Sequence, residues 1–250
     1  MRPRQIRMAT MPSLVISCEH GGNRVPVDYR ELFVGQAATL QGHRGWDPGA
    51  LELARQMARR LGAPLHASTT TRLLVDLNRS VGHRQLFSEF TRRLEHGERQ
   101  SILERYYRPH RQSVEAEIDG RIACGESVLH IASHSFTPVL DGSVRLADVA
   151  WLYDPQRAGE ILFSKRWQDM LAQRLPRLRL RRNYPYEGRS DGLTSALRKR
   201  HSEAAYIGIE LEVNQGFVED GGARWSQLRA KLIDSLVAAL DEWAALNGPR

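Results

Sequence analysis

The sequence predicts an α/β protein built in three layers (αβα), with helices on both faces of a central mixed β-sheet. Short apolar runs alternate along the chain with longer segments of helical periodicity, a pattern typical of βαβ units. No internal repeat and no linker rich in Gly, Ser or Pro divides the 250 residues, so we expect a single domain over residues 1–250. A chain of this length can bury a sufficient core without disulfides.

The first half of the chain predicts two strands and two helices. Residues 14–18 form an apolar run that ends at a Gly-Gly pair, which indicates a buried strand followed by a loop. Apolar residues at helical spacing predict a helix over 50–61, and a second strand follows at 63–68. Residues 98–118 predict a long helix that Pro109 kinks or breaks.

At the start of the chain, we expect residues 1–12 to be a flexible basic N-terminus. The second half continues the alternation of strands and helices. Strands are predicted at 127–133, 149–153, 177–182 and 206–213. Helices are predicted at 160–175 and 223–246, the second one closed by Asn247-Gly248-Pro249.

Composition argues against a nucleic-acid-binding function, although the net charge at first suggests one. The 36 basic and 29 acidic residues give a net charge of +7, which would suit a nucleic-acid binder. Only three of the basic residues are lysines, however, and such a bias is better explained by codon usage than by phosphate binding. We therefore expect no nucleic-acid partner.

The cellular compartment is predicted from what the sequence lacks. No run approaches the roughly 18 apolar residues of a membrane span, and the N-terminus has no apolar stretch of signal-peptide length. Cys18 and Cys124 form neither a CxxC pair nor a disulfide framework. These features favour a cytoplasmic protein without a membrane partner and with reduced thiols.

Two predicted strands each deliver a histidine at their end. His20 precedes a Gly-Gly turn, and His134 follows the strand that contains His130. Two neutral imidazoles that converge with one carboxylate would make a three-ligand zinc site with an open position for water. The alternative is an ordinary turn carrying a surface histidine, and His130 is better explained as a core residue than as a ligand.

Asp47 is a candidate for that carboxylate, although a simpler role also explains it. Asp47 and Pro48 stand just before the predicted helix, where Asp is a common N-cap and Pro a common first residue. An aspartate can cap a helix and still bind a metal through its second oxygen, so both roles stay open.

Further polar residues mark the last predicted strand and the segment 72–80. Glu210 and Glu212 share one face of the strand, where two carboxylates are costly unless a metal, an arginine or a proton-transfer role accounts for them. Pairing with surface arginines is the alternative. Arg79 offers a planar fork that suits a carboxylate, and Asn78 lies beside it. Arg79 could instead merely pair with Asp76 or a helix end.

With these residues assembled, the chain resembles the N-formylglutamate amidohydrolase family, which is related in fold and zinc chemistry to the zinc carboxypeptidases. The resemblance implies a phosphorylase/hydrolase-like fold and a zinc-dependent amidohydrolase that removes an N-formyl group from an amino acid such as glutamate. The matching segments lie in the family's order: EHGGNRVP (19–26), GWDPGA (45–50), RLLVDLNRS (72–80), SHSFTP (133–138), NYPYEG (183–188) and ELEVNQ (210–215).

The resemblance also implies roles for single residues. His20 and His134 match the zinc-binding histidines, and Glu212 matches the general base. Asn23 stands where the zinc carboxypeptidases have a glutamate ligand, so the second protein ligand must come from elsewhere. Asp47 is the first candidate for it and Glu19 the second.

The remaining implied roles concern the substrate. The pair that binds the substrate carboxylate would be Asn78 and Arg79, and Arg72 would face the oxyanion. The side chains expected near the substrate are Tyr184, Tyr186 and His201. Three alternatives stay open: an amidase or peptidase acting on another N-acyl amino acid or short peptide, a catalytically silent module that binds acidic ligands, and a nucleic-acid binder. A homo-oligomer is also left open.

Overall fold

The computed structural model describes residues 11–247. The predicted flexible N-terminus, residues 1–12, falls almost entirely outside the described residues, and so does the Gly248-Pro249 part of the predicted stop. None of the helices in the described part of the chain is long and apolar enough to cross a membrane.

Six strands form the central sheet, and their order confirms the mixed α/β prediction. From one edge to the other they are β2 (Leu65–Ala67), β1 (Ser13–Cys18), β3 (Val128–Phe136), β8 (Tyr206–Asn214), β6 (Val149–Leu152) and β7 (Leu180–Arg182). The first four are parallel, whereas β6 pairs antiparallel with β8 and parallel with β7. A separate hairpin consists of β4 (Val139–Leu140) and β5 (Ser143–Val144).

Helices cover both faces of this sheet, so the three-layer prediction is confirmed. They are α1 (Ala37–Gln41), α2 (Ala50–Leu61), α3 (His96–Ile102), α4 (Arg108–Ala123), α5 (Ala158–Arg174), α6 (Leu193–Arg200), α7 (Gly216–Asp220) and α8 (Gly222–Asn247). Helices α2, α5 and α8 share one apolar cluster with the sheet, which contains Trp167 and Leu236. On the other face, Val114 of α4 and Leu197 of α6 pack against Val15 of β1.

The long helix around Pro109 is continuous in the structure, which corrects the predicted break. Helix α3 passes into a π-helical turn, Leu103–Tyr107, and then directly into α4. Pro109 stands in the first turn of α4. A proline has no backbone N–H, so it cannot donate to the carbonyl oxygen four residues back. The π-helical turn, a rare and local departure from α-helical geometry, stands just before this proline.

Other differences are local. The predicted strand at 177–182 is shortened to β7 at the sheet edge, and both α6 and the β4–β5 hairpin were not predicted. The carboxyl ends of the parallel strands β1, β3 and β8 lie on the same side of the sheet, which we call its carboxyl edge. This edge brings residue 20, residue 134 and residue 212 together, as expected for ligand sites of open α/β sheets.

Candidate active site

Two histidines and one aspartate form a compact buried cluster at this edge. One ligand atom each from His20, Asp47 and His134 lies within 4.8 Å of the other two. Nδ1 of His134 is 2.9 Å from Oδ2 of Asp47, and Nδ1 of His20 is 3.4 Å from the same oxygen. The buried Nδ1 of His20 has no hydrogen-bond partner. An orphaned imidazole nitrogen beside a carboxylate and a second imidazole is a donor set that fits a small divalent cation such as zinc.

The structure removes one of the two interpretations of Asp47, its role as a helix cap. Helix α2 begins at Ala50, its N-cap is Gly49, and no side chain caps it, so the expected capping role of Asp47 and Pro48 is wrong. The Asp47 backbone N–H instead donates to the carbonyl oxygen of His20 over 2.9 Å. This bond ties the loop before α2 to the loop after β1 and turns the Asp47 carboxylate toward the histidines.

Glycines allow the loop after β1 to lie close to its neighbour. A Cβ on Gly21 would meet the carbonyl oxygen of Ser68 at 2.9 Å, and a Cβ on Gly22 would meet that of Thr69 at 2.8 Å. The two loops therefore touch through their backbones, and Arg24 and Thr70 form a parallel bridge between them. His20 is held on this paired backbone.

A second set of carboxylates lies on the outer side of the histidine rings. Nε2 of His20 is 2.7 Å from Oδ1 of Asp76, and Nε2 of His134 is 3.0 Å from Oε2 of Glu19. Glu19 also reaches His110, with 3.3 Å between Oε1 and Nε2. The alternative ligand Glu19 thus faces Nε2 of His134, which points away from His20 and Asp47, whereas Asp47 faces Nδ1. The geometry favours Asp47 as the carboxylate of the cluster.

The charges in this cluster shift one another's titration. Although burial acts in the opposite direction, the neighbouring His20, His134 and Arg72 hold the pKa of Asp47 well below its usual range. Burial also opposes charge on His134, but its hydrogen bond with Asp47 and the adjacent carboxylate of Glu19 raise the pKa of that imidazole well above its ordinary value. The site therefore stabilises positive charge next to Asp47, as a cation site must.

Glu212 and Glu210 face the same cavity in different states. Burial raises the pKa of Glu212 to about 8, with further increases from Asp47 and Glu210, and its Oε2 has no hydrogen-bond partner. Glu210 instead accepts a 2.6 Å hydrogen bond from the hydroxyl of Thr194. Neither carboxylate forms an ion pair with an arginine in the described part of the chain, so the surface-arginine alternative is wrong. Glu212 is the carboxylate left free to take part in proton transfer.

These groups line a cavity of about 200 Å³. Its walls contain the cluster histidines and carboxylates together with Arg72, Asn78, Arg79, Phe136, Leu152, Tyr186, Asp191 and Gln215. The size suits a small molecule with a few polar groups.

Asn78 and Arg79 are brought into this cavity. Oδ1 of Asn78 accepts the backbone N–H of Leu193 over 2.7 Å, which fixes the side chain at the start of α6. Arg79 donates to the backbone oxygen of Asp191 over 2.8 Å, and its buried Nε has no partner. Arg79 forms no ion pair with Asp76 or any other carboxylate among the described residues, so the alternative of a pair with Asp76 is wrong. Its bond to the Asp191 backbone, just before α6, is the kind of helix-end contact that the other alternative describes.

Three other predicted site residues have different surroundings. Tyr186 lines the cavity and accepts a hydrogen bond from Arg145 over 3.0 Å. Tyr184 does not line it, because its hydroxyl accepts the backbone N–H of Leu146. His201 ends α6 and lies 2.8 Å from Asp119, near the start of β8 and thus at the opposite edge of the sheet. The expected positions of Tyr184 and His201 near the substrate are corrected accordingly.

Sequence reasoning missed three residues of the site. His43 lines the cavity, and burial together with the nearby Arg145 lowers its pKa. The carboxylate of Asp191 accepts the backbone N–H of Ser80 over 2.8 Å beside Arg79. The sequence suggests Asp76 only as a partner for Arg79, yet Asp76 binds His20. His43 stands within the HRGWDPGA stretch (43–50), so its proximity to Asp47 was an available signal.

Comparison with known proteins identifies the family of the chain. The N-formylglutamate amidohydrolase family model matches residues 12–218. A gene product of Agrobacterium tumefaciens of known structure is 25% identical, with 95% of this chain and 94% of that chain covered and a TM-score of 0.79. An N-formylglutamate amidohydrolase from Ralstonia eutropha JMP134 shares the fold at 20% identity, with 95% of each chain covered and a TM-score of 0.66. No curated protein matches the chain. Because the family model spans most of its length, this chain belongs to the N-formylglutamate amidohydrolase family.

Proposed function

We propose that this protein is a zinc-dependent amidohydrolase that removes the N-formyl group from an N-formyl amino acid such as N-formylglutamate. The observation that carries the proposal is the buried cluster of His20, Asp47 and His134 next to the unpartnered carboxylate of Glu212. Family membership supports a hydrolase, and the cluster supports the metal. The proposal takes residues 1–250 as one cytoplasmic domain with no nucleic-acid or membrane partner and leaves a homo-oligomer open.

The three cluster residues would hold the ion through Nδ1 of His20, a carboxylate oxygen of Asp47 and Nδ1 of His134. When bound, a zinc ion would supply Lewis-acid chemistry, polarising the amide carbonyl and acidifying a water molecule. Glu212 accepts the proton of the attacking water and returns it to the leaving amine, which is the role of a general base that becomes a general acid.

The substrate carboxylate is bound by Asn78 and Arg79. Among the described residues, the guanidinium of Arg79 donates hydrogen bonds only to backbone oxygens, which leaves its charge available to the substrate. Tyr186 closes the same cavity from the loop that follows β7. These contacts fix the amino-acid end of the substrate while its acyl end reaches the histidine cluster.

The test uses purified protein loaded with zinc. We expect one zinc per chain by elemental analysis and release of formate from N-formyl amino acids. A panel of N-formyl and N-acetyl amino acids and of short peptides identifies the acyl group. Hydrolysis confined to N-acetyl compounds or peptides would favour the related amidase, and stoichiometric zinc without any hydrolysis would favour a silent binding module. Absence of both zinc and hydrolysis would contradict the proposal.

A further inference from the structure

Arg72 links two carboxylates, and one of them belongs to the metal cluster. Its Nη1 donates to Oδ1 of Asp47 over 3.3 Å, and its Nη2 donates to Oδ2 of Asp76 over 2.8 Å. Both carboxylates are buried, and only 26% of the Arg72 side chain is exposed. Each terminal nitrogen of the guanidinium is thus directed at a different acid.

Asp76 in turn reaches the other side of the cluster. Its Oδ1 accepts the backbone N–H of Asn78 over 2.9 Å and lies 2.7 Å from Nε2 of His20. Because a carboxylate oxygen can only accept, Nε2 of His20 must carry the proton. The lone pair of that ring is then on Nδ1, the orphaned atom that faces Asp47 and His134.

These contacts form one path from one predicted ligand to another: His20, Asp76, Arg72 and Asp47. We propose that Arg72 and Asp76 act as a brace that fixes the orientation of both ligands, and that Arg72 is a positioning residue rather than the arginine that faces the oxyanion. This inference rests on the metal centre of the proposed function. Partners that orient metal ligands in this way typically change metal affinity 10–100-fold when they are replaced, on the order-of-magnitude scale of such effects.

The position of Arg72 in the chain supports the same role. Its backbone N–H donates to the carbonyl oxygen of Gly45 over 3.1 Å, which anchors it two residues from Asp47. Leu74 and Leu77, on either side of Asp76, are buried in an apolar cluster with Ile102. The segment is therefore fixed on both sides, as a brace requires. An arginine that stabilises an oxyanion needs free N–H donors, whereas the terminal nitrogens of Arg72 already donate to two carboxylates.

The test measures zinc affinity directly, by competition with a chromophoric chelator, and records the visible spectrum of the cobalt-substituted protein. Asp76→Asn keeps the shape but presents an N–H₂ group toward Arg72, and Arg72→Lys keeps a charge but cannot span two carboxylates. We expect both variants to bind zinc about 10- to 100-fold more weakly and to change the cobalt spectrum. Circular dichroism establishes that each variant is folded.

Arg79→Lys is the matched control, because Arg79 lies in the same cavity but contacts only backbone oxygens. Its zinc affinity should equal that of the wild type. If folded Arg72→Lys keeps wild-type zinc affinity and cobalt spectrum while kcat falls, Arg72 faces the oxyanion and the brace is wrong. Wild-type protein that binds zinc but hydrolyses no substrate overturns the proposed function alone, whereas protein that binds no zinc overturns both.

Discussion

Two groups of buried charge in this molecule differ in how completely their hydrogen-bonding groups are used. At the carboxyl edge of the sheet, the site cluster of His20, Asp47, His134 and Glu212 leaves buried polar atoms without a hydrogen bond, among them Nδ1 of His20 and Oε2 of Glu212. Beside Gly208, the Arg198–Glu160 pair has no such gap. Nε of Arg198 lies 2.9 and 3.0 Å from the two Glu160 oxygens.

The rest of the Arg198–Glu160 pair is equally occupied. The terminal nitrogens of Arg198 donate to the carbonyl oxygens of Gly188 over 2.6 Å and of Gly208 over 2.8 Å. Glu160 also accepts the backbone N–H of Asp154 over 2.8 Å. A buried charge is tolerated when every donor and acceptor is paired, and an unpaired one is costly. The comparison teaches that the site cluster bears a cost that a bound ion, substrate or water would offset, whereas the Arg198–Glu160 pair is complete and structural.

The largest expected effect follows from removing the unpaired base. Glu212→Gln should reduce kcat about 10²- to 10⁴-fold, the usual scale for loss of general acid–base catalysis, because the amide cannot take a proton from water. Zinc content and unfolding free energy should stay close to those of the wild type. Steady-state kinetics and elemental analysis check this. Glu210→Gln is the control and should lose far less, since Glu210 is already bound to Thr194; equal losses would show that the base is misassigned.

Replacing a residue of the Arg198–Glu160 pair should lower the unfolding free energy and leave kcat unchanged, which is the opposite of the result expected for Glu212. Glu160→Gln leaves the buried charge of Arg198 without its counterion, and we expect the unfolding free energy to fall by about 3–5 kcal/mol in urea titrations. The folded fraction should keep its kcat. Glu117→Gln removes a partly exposed partner of Arg121 and should cost about 0–1 kcal/mol. A Glu160→Gln variant as stable as the control would contradict the distinction drawn between the two groups of charge.

His130 extends the comparison to pH, because both of its ring nitrogens are hydrogen bonded, at 2.8 Å to Ser17 and at 2.8 Å to Tyr206. Burial lowers the pKa of His130 to about 4. Between about pH 6.5 and 4 the unfolded chain therefore binds a proton that the folded protein does not. The unfolding free energy should be highest above pH 6.5 and fall as the pH drops, by up to about 3 kcal/mol from this residue.

Urea titrations at pH 7, 5.5 and 4.5 measure the effect. Other groups also titrate in this range, so the decisive quantity is the difference from His130→Gln, which has no ionisable group at this position. The variant should lose less stability than the wild type over the same interval. Parallel pH profiles for the two proteins would remove His130 as a source of acid sensitivity.

The smallest expected effect is on substrate binding. Arg79→Lys should raise KM about tenfold or more with a smaller change in kcat, because a lysine ammonium lacks the fork that grips a carboxylate through two hydrogen bonds. A substrate whose carboxylate is amidated should be impaired with wild-type enzyme in the same way. Kinetics on a free acid and its amide check this, and equal kcat/KM values for the pair would place Arg79 outside the substrate site.

Local sequence patterns were sufficient for the sheet and for the ends of its strands. Each of the six strands of the sheet was predicted, because apolar runs in parallel strands stand out against the helices between them. Once β1, β3 and β8 are parallel neighbours, the side chains at their carboxyl ends must meet. This topological argument explains why strand patterns are enough to place His20, His134 and Glu212 in one site.

The contacts that orient these residues could not be predicted in this way. Asp76 is 56 positions from His20, and Glu19 is 91 positions from His110, so no periodicity relates them. Asp76 reaches His20 from the long segment between β2 and α3, which packs on its own apolar cluster, and His110 reaches Glu19 from α4. The prediction that His201 lies near the substrate was wrong for a related reason. The basic residues around His201 do not indicate at which end of the strands its side chain lies.

The backbone pairing of the loop after β1 has a consequence for how the ion would enter. Gly21 and Gly22 let this loop lie against residues 68–70, and its order is thus set by contacts between peptide groups. A loop already ordered in this way surrenders little conformational entropy when it acquires a ligand. Metal uptake would then resemble docking into a finished receptor, in contrast to zinc fingers, whose chains fold only around their ion.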